Sequence, residues 1–373
     1  MRFVAGKDDL LNSIRIVERA TVVKGLQPVL ANVLVETVGE NKIKLTATDF
    51  DLTITTILDA TVEEEGKVTL PAKKLGEIIS RLQDELVKVE IEGATATITC
   101  KKSKFDIIGI SANEFPQVEE NISEEDSIEI ETKPFTKAIR EVVSAAAGYE
   151  TNNLLSGVVC EVNKNILEMA ATDGNRLARV REVVKNNSAD SEKVFEMLIS
   201  SKVLSELSKI ALLDEADNIK ICKEVKKIVI SIGKTKIITR LMQGQFPKYN
   251  QLVPQTFPRE AKVNKYDLIS ALERVAVMVS EKNSIVKFEF GDNMLKLSGD
   301  TPEAGKSQDV IDINYTGEAL TIAFNYKFVL EFLKIVECDE IAIQLNTALS
   351  ATVFAPCSDE DYIYLVMPVQ LRN

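Results

Sequence analysis

The arrangement in this chain closest to acid–base chemistry is the pair Asp49 and Asp173, each closing an apolar run, residues 43–49 (IKLTATD) and 167–173 (LEMAATD). Two carboxylates held in unlike environments could divide the roles of acid and base. These two stand in the same local context, however. Both turn out of a strand-like run, where aspartate commonly accepts hydrogen bonds from nearby backbone amides. Histidine is absent from the chain, which removes Ser-His and Cys-His nucleophile pairs. Cys100, Cys160, Cys222, Cys338 and Cys357 are scattered singly. With no CxxC pair and no histidine to complete a mixed site, they read as buried reduced thiols, and neither a metal nor a cofactor is expected. Two phosphate-loop near misses fail on the missing glycine: Gly233-Lys234-Thr235 has Ile228 where one is needed, and Gly305-Lys306-Ser307 has Asp300.

The elements that would position any site follow from composition and repetition. At 373 residues and 45% hydrophobic, the chain is expected to form two or three domains of roughly 100 to 200 residues each. A net charge of −12 disfavours tight phosphate binding over an open surface. With no tryptophan and 6% aromatic residues, a stacking platform for single strands is not expected either. No basic stretch leads into an apolar run and a cleavage site, and no apolar run approaches the length of a membrane span. The expectation is a soluble, cytoplasmic protein without membrane contact.

An amphipathic helix recurs three times, at residues 8–19, 134–144 and 265–275. Leu10, Ile14 and Val17 fall at helical spacing, as do Phe135, Ala138, Ile139 and Val142, and Leu268, Ala271, Leu272 and Val275. A strand ending in a polar turn follows each, closing on Asp49, Asp173 and Asp300, which lie 124 and 127 residues apart. A second helix recurs at residues 72–84, 201–210 and 326–334, and alternating runs such as 87–91, 228–232 and 341–345 read as strands with one buried face. Each repeat closes on a similar phrase, EFPQV at 114–118, QFPKY at 245–249 and VMPVQL at 366–371. The acidic stretch 119–126 and the proline-bounded 254–258 read as linkers, giving domains 1–126, 127–254 and 255–373. Two helices and many short strands per domain define an α+β class, helices packed on antiparallel sheets.

At this point the sequence resembles the bacterial DNA sliding clamp family, the beta subunit of DNA polymerase III, over essentially its whole length. The residues that carry the resemblance are Leu26-Gln27-Pro28-Val29-Leu30, Ala47-Thr48-Asp49, Ala171-Thr172-Asp173-Gly174-Asn175-Arg176-Leu177-Ala178, Phe246-Pro247-Lys248-Tyr249, Phe324-Asn325-Tyr326 and Val366-Met367-Pro368. The resemblance implies a head-to-tail homodimer closing into a six-domain ring. Such a ring would encircle duplex DNA without reading its sequence and tether the replicative polymerase catalytic subunit, with no catalysis of its own. It also implies a clamp loader, and repair and replication proteins that dock through short peptides.

Charge is distributed as such a ring requires: the six expected helices sum to +3, which leaves −15 on the rest of the chain. The candidate phosphate contacts are Arg15, Arg19, Lys24, Lys73, Arg81, Lys137, Arg140, Lys202, Lys209, Arg274, Lys327 and Lys334. Carried over from the family, the peptide groove falls on Leu155, Thr172, Gly174, Asn175, Arg176, Leu177, Pro247, Leu252, Val366, Met367, Pro368, Val369 and Leu371. Asn175, Gln251 and Gln370 depart from some relatives, which carry His, Arg and Arg there. At the ring seam the resemblance sets Phe105 and Ile107 against Val277 and Met278 of the neighbour, with Lys74, Lys102 and Lys104 facing Glu303 and Asp309. Two rival readings are a carboxylate enzyme built on Asp49 and Asp173, and a protein-only scaffold. The shared turn context argues against the first, and the helix charges argue against the second.

Overall fold

The computed structural model describes residues 1–22, 27–83, 85–118, 127–148, 154–187, 194–214, 216–254, 256–280, 284–301 and 305–370. The six expected helices form as α1 (Lys7–Val17), α2 (Ala72–Arg81), α3 (Thr132–Val143), α4 (Ser201–Asp214), α5 (Lys265–Ala276) and α6 (Tyr326–Ile335). Their apolar stripes are the buried faces: Leu10, Ile14 and Val17 in α1, Phe135, Ala138, Ile139 and Val142 in α3, and Leu268, Ala271, Leu272 and Val275 in α5. Asn264 caps α5 by accepting from the amides of Tyr266 and Asp267 at 2.9 and 3.2 Å, and Asn325 caps α6 by accepting from that of Lys327 at 3.1 Å. Several ends differ from the expected bounds, and α1 closes at Val17 where residue 19 was expected. α3 starts before Pro134, because the first turn has no intrahelical amide partner to lose. α2 stops at Arg81, with the Leu82 amide closing on Ile79, and α4 runs on to Asp214.

By contacts the chain divides into two units, Met1–Lys133 with Val184–Ser191 and Glu206–Leu241, and Pro134–Val183 with Glu192–Ser205 and Met242–Asn373. The first unit holds a five-stranded sheet, in the order Thr61–Glu64, Arg2–Gly6, Leu86–Glu92, Thr95–Cys100, Ser103–Ile108. Its second sheet has nine strands, Lys185–Asn186, Ser127–Glu131, Asn218–Lys223, Lys227–Ile232, Thr235–Arg240, Leu52–Asp59, Lys42–Thr48, Asn32–Thr37 and Lys67–Pro71. The second unit repeats the plan. Its nine-stranded sheet runs Phe195–Ser200, Gly157–Asn163, Ile166–Thr172, Arg176–Val183, Ile363–Val366, Thr352–Pro356, Glu340–Leu345, Arg259–Asn264, Asn314–Thr316, and a four-stranded sheet runs Gly305–Asp312, Met294–Thr301, Ile285–Gly291, Leu320–Asn325. The recorded pairings are all antiparallel.

Read from opposite ends, the two large sheets match strand for strand. In one, Leu52–Asp59 pairs with Thr235–Arg240, and in the other Arg176–Val183 pairs with Ile363–Val366. Strand periodicity specified each half, since alternate residues such as Val87, Val89 and Ile91 are buried. The pairing of distant segments was not visible in that periodicity. One expected turn is also absent: Asp300 does not end its strand but lies within Met294–Thr301, opposite Lys306.

Candidate partner groove and basic helix faces

Asp49 and Asp173 are both spent on their own turns. Asp49 Oδ1 accepts from the amides of Asp51 at 3.0 Å and Leu52 at 2.6 Å, and Asp173 Oδ1 from those of Asn175 at 2.9 Å and Arg176 at 3.1 Å. Each is a fold-stabilising Asx turn leading into the next strand. At the tip of the second turn, Gly174 adopts φ 91°, a conformation that favours glycine. Phe50 holds the corresponding place in the first turn at φ 75°.

The 172–177 turn carries five of the residues expected to wall the groove. Register pairs Arg176 with Val366 and Leu177 with Leu365, and the chain then leaves the sheet, the Met367 amide donating to Asn175 O at 2.8 Å and that of Val369 to Ala323 O at 2.8 Å. Thr172, Leu177 and Val366 are buried, whereas Gly174, Asn175, Pro247, Leu252 and Met367 are exposed, Leu252 at 53% and Met367 at 42%. Leu155, Pro368 and Val369 are half-buried. A buried floor with exposed apolar rims can take an extended peptide bearing large apolar side chains. Leu371 lies outside the described residues.

The sequence reading missed what supports this wall. Leu177 belongs to a core cluster with Val159, Leu198, Phe246, Tyr249 and Leu365, against which Leu154, Leu155 and Val253 pack. The Tyr249 hydroxyl donates to Glu168 Oε1 at 2.6 Å and pins the loop that carries Pro247 and Leu252. Burial opposes ionisation of Glu168, yet hydrogen bonds from Tyr249 and Arg181 outweigh it and hold the carboxyl below its ordinary value. Arg176 was expected to face the peptide, but its side chain is only 10% exposed. Nε donates to Asp173 Oδ2 at 3.0 Å, Nη1 to Glu331 and, at 3.2 Å, to the Tyr364 hydroxyl, and the guanidinium lies 4.4 Å from the Phe328 ring centroid.

The basic residues divide by partner. Arg15, Lys73, Arg81, Lys202 and Lys327 are exposed and make no ion pair among the described residues. The others are engaged: Arg19 with Glu206 at 2.7 Å, Lys209 with Glu206 at 2.7 Å, Lys137 with Asp359 at 2.9 Å, and Arg140 with Glu337 at 2.9 Å. Arg274 pairs with Asp309 at 2.5 Å and Lys334 with Glu273 at 3.2 Å. Glu206 and Glu273 lie on the helices themselves, whereas Glu337, Asp359 and Asp309 lie outside them and escaped a count of helix charge. Exposed pairs contribute little, so their cations can exchange a carboxylate for a phosphate. Lys24 lies outside the described residues.

At the expected seam, Ser103–Ile108 and Gly305–Asp312 are edge strands of their sheets. Phe105 is 38% exposed and Val277 79%, Met278 is half-buried, and Lys102 and Lys104 are exposed. Ile107, expected at the seam, is only 7% exposed and packs into its own core, while Ile108, which the sequence reading passed over, is 78% exposed. Lys74 pairs with Glu77 at 2.8 Å, and Asp309 is already held by Arg274. Glu303 lies outside the described residues.

Helix-on-sheet modules recur along this one chain, and its helices present cationic faces although the protein is acidic. Models of the N-terminal, central and C-terminal domains of the DNA polymerase III beta subunit match residues 1–119, 129–248 and 250–370. A beta sliding clamp of Synechococcus elongatus is 35% identical over the full length of both chains. Among solved structures, the DNA polymerase III beta subunit of Thermotoga maritima superposes with a TM-score of 0.93 at 27% identity, and a sliding clamp of Pseudomonas aeruginosa bound to griselimycin with 0.93 at 26%, each covering all of both chains. The chain belongs to the DNA polymerase III beta subunit family, the beta sliding clamps. No helix among the described residues is long and apolar enough to cross a membrane.

Proposed function

We propose that two copies of this chain close head to tail into a ring around duplex DNA and hold the replicative polymerase on its template. The division at 1–126, 127–254 and 255–373 gives three modules per copy. The observation that carries this reading is the set of exposed cations Arg15, Lys73, Arg81, Lys202 and Lys327, without an ion pair among the described residues, on four of the six helices of a protein with net charge −12. Phosphate contacts of this kind carry no base information. Retention therefore comes from topology, with affinity contributing little. Ring closure draws on the edge strands that bear Phe105 and Asp309, with Val277 and Met278 beside them.

The groove around Leu177, Val366 and Met367 receives short peptides of the polymerase, of an ATP-driven clamp loader and of repair proteins in the cytoplasm. The test is residence on DNA after loading. The protein should persist on nicked circular DNA and leave quickly once that DNA is linearised, and equal residence on both would overturn the proposal. Replacing Lys73, Arg140 and Lys202 together by Glu should impair loading while leaving the thermal transition in place, because all three are exposed.

A further inference from the structure

The Arg176 guanidinium meets three separate segments of its unit. Asp173 belongs to the turn that walls the groove, Tyr364 to the strand Ile363–Val366, and Phe328 and Glu331 to helix α6, which also carries the exposed Lys327 and Lys334. Nε and Nη1 are committed to these partners, and one face of the guanidinium plane is covered by Phe328. The planar fork of arginine suits such a junction, because its donors leave in fixed directions and cannot swing independently. We propose that Arg176 is a positioning residue that couples the groove wall to helix α6, so that the state of α6 sets the affinity of the groove for partner peptides.

This inference rests on the groove reading above and goes beyond it. It assigns the affinity in part to a contact with Glu331 of helix α6, a residue not among those named for the groove. Physically, the 172–177 turn is held in place from two sides. On one side Met367 donates its amide to Asn175 O at 2.8 Å. On the other Arg176 anchors the turn, through Asp173, to Glu331. Releasing the Glu331 contact leaves the floor residues Leu177 and Val366 where they are and frees the rim to move. A fluctuating rim costs ordering entropy when the peptide binds, which weakens binding without loss of a peptide contact. Coupling through a packed network of this kind runs from about 0.5 to 2 kcal/mol, or roughly two- to thirtyfold in affinity.

The experiment is a double-mutant cycle on the full-length protein. The dissociation constant of a fluorescently labelled extended peptide with two large apolar side chains is measured for the wild type, R176K, E331Q and the double variant, with M367A as the control for the groove itself. Glu331 is 47% exposed at its side chain, so E331Q should keep the thermal transition of the wild type. The expected result is a two- to thirtyfold weakening in E331Q and in R176K, with the double variant no weaker than the worse single one. If M367A weakens the peptide and E331Q does not, the coupling is overturned while the groove stands. If M367A also has no effect, the groove reading and the coupling fall together. Additive losses in the double variant would overturn the coupling too, because they would assign the two residues independent roles.

Discussion

Glu141 on α3 offers the sharpest quantitative test of the structure. Its side chain is 3% exposed, and Oε2 has no hydrogen-bond partner among the described residues. Lys137 Nζ stands 3.6 Å from Oε1 but is closer to Asp359, at 2.9 Å. Burial pushes the carboxyl up from 4.5 to about 7, Lys137 opposing this and Asp359 and Glu182 adding to it. The folded state therefore binds the proton more tightly than the unfolded chain does. Below about pH 4.5 the group is protonated in both states and costs nothing. As pH rises through the interval up to about 7 the wild type loses stability, and above it the loss is complete, at about 3 kcal/mol.

Glu141→Gln removes the titration. A buried amide without a partner carries its own cost of about 1 to 3 kcal/mol, but that cost does not vary with pH. The pH dependence of the difference is therefore the quantity to measure. Denaturant melts of both proteins between about pH 5 and pH 8 should show the variant gaining roughly 2 to 3 kcal/mol on the wild type across the interval. At about 2 to 4 °C per kcal/mol for a unit of this size, the thermal transitions should shift relative to one another by roughly 5 to 10 °C. Hydrogen exchange at α3 would assign the change to this helix. Parallel stability curves for the two proteins across that range would refute the reasoning, because they would show that the carboxyl does not remain buried and poorly solvated.

Two further substitutions probe the groove turn and the seam. Gly174→Ala should destabilise by about 1 kcal/mol in denaturant melts, purely through its φ of 91°, since a Cβ there meets nothing within 4 Å; unchanged stability would refute the backbone argument. Phe105→Ala should weaken dimerisation by on the order of 1 to 3 kcal/mol in sedimentation while sparing the chain's own melting. Ile107→Ala should do the reverse, losing about 2 to 5 kcal/mol of fold stability because Ile107 is 7% exposed. An exchange of these two outcomes would place the seam on the other face of the edge strand.

The sequence by itself determined the local structure and the kind of protein. Helical spacing of apolar residues marked the first helix of each repeat and its buried face, recurrence along the chain marked the second, and period-two runs marked strands, because burial of one face is a local requirement written into side-chain order. Asp49 and Asp173 could be read as turn formers for the same reason, since an Asx turn needs only its own next few residues. Asp300 broke the pattern: the same spacing after a strand gave no turn where the strand found a partner in Gly305–Asp312 and continued. Tertiary structure alone decided which strands share a sheet, so that Arg176–Val183 meets Ile363–Val366 across nearly 190 residues of chain. It also decided which charges remain free. Arg15 and Arg19 look alike in sequence, yet Arg19 meets Glu206, a residue whose proximity no local rule predicts. Ile107 and Ile108 stand side by side, and the pleat sends one into the core at 7% exposure and the other into solvent at 78%. Arg176 likewise sits in a motif that names a groove residue, but its role is set by Tyr364, Phe328 and Glu331, which reach it only when the chain has folded. Patterning specifies which faces are buried, whereas charge pairing and positioning depend on distances between segments remote in sequence, and only the folded chain sets those.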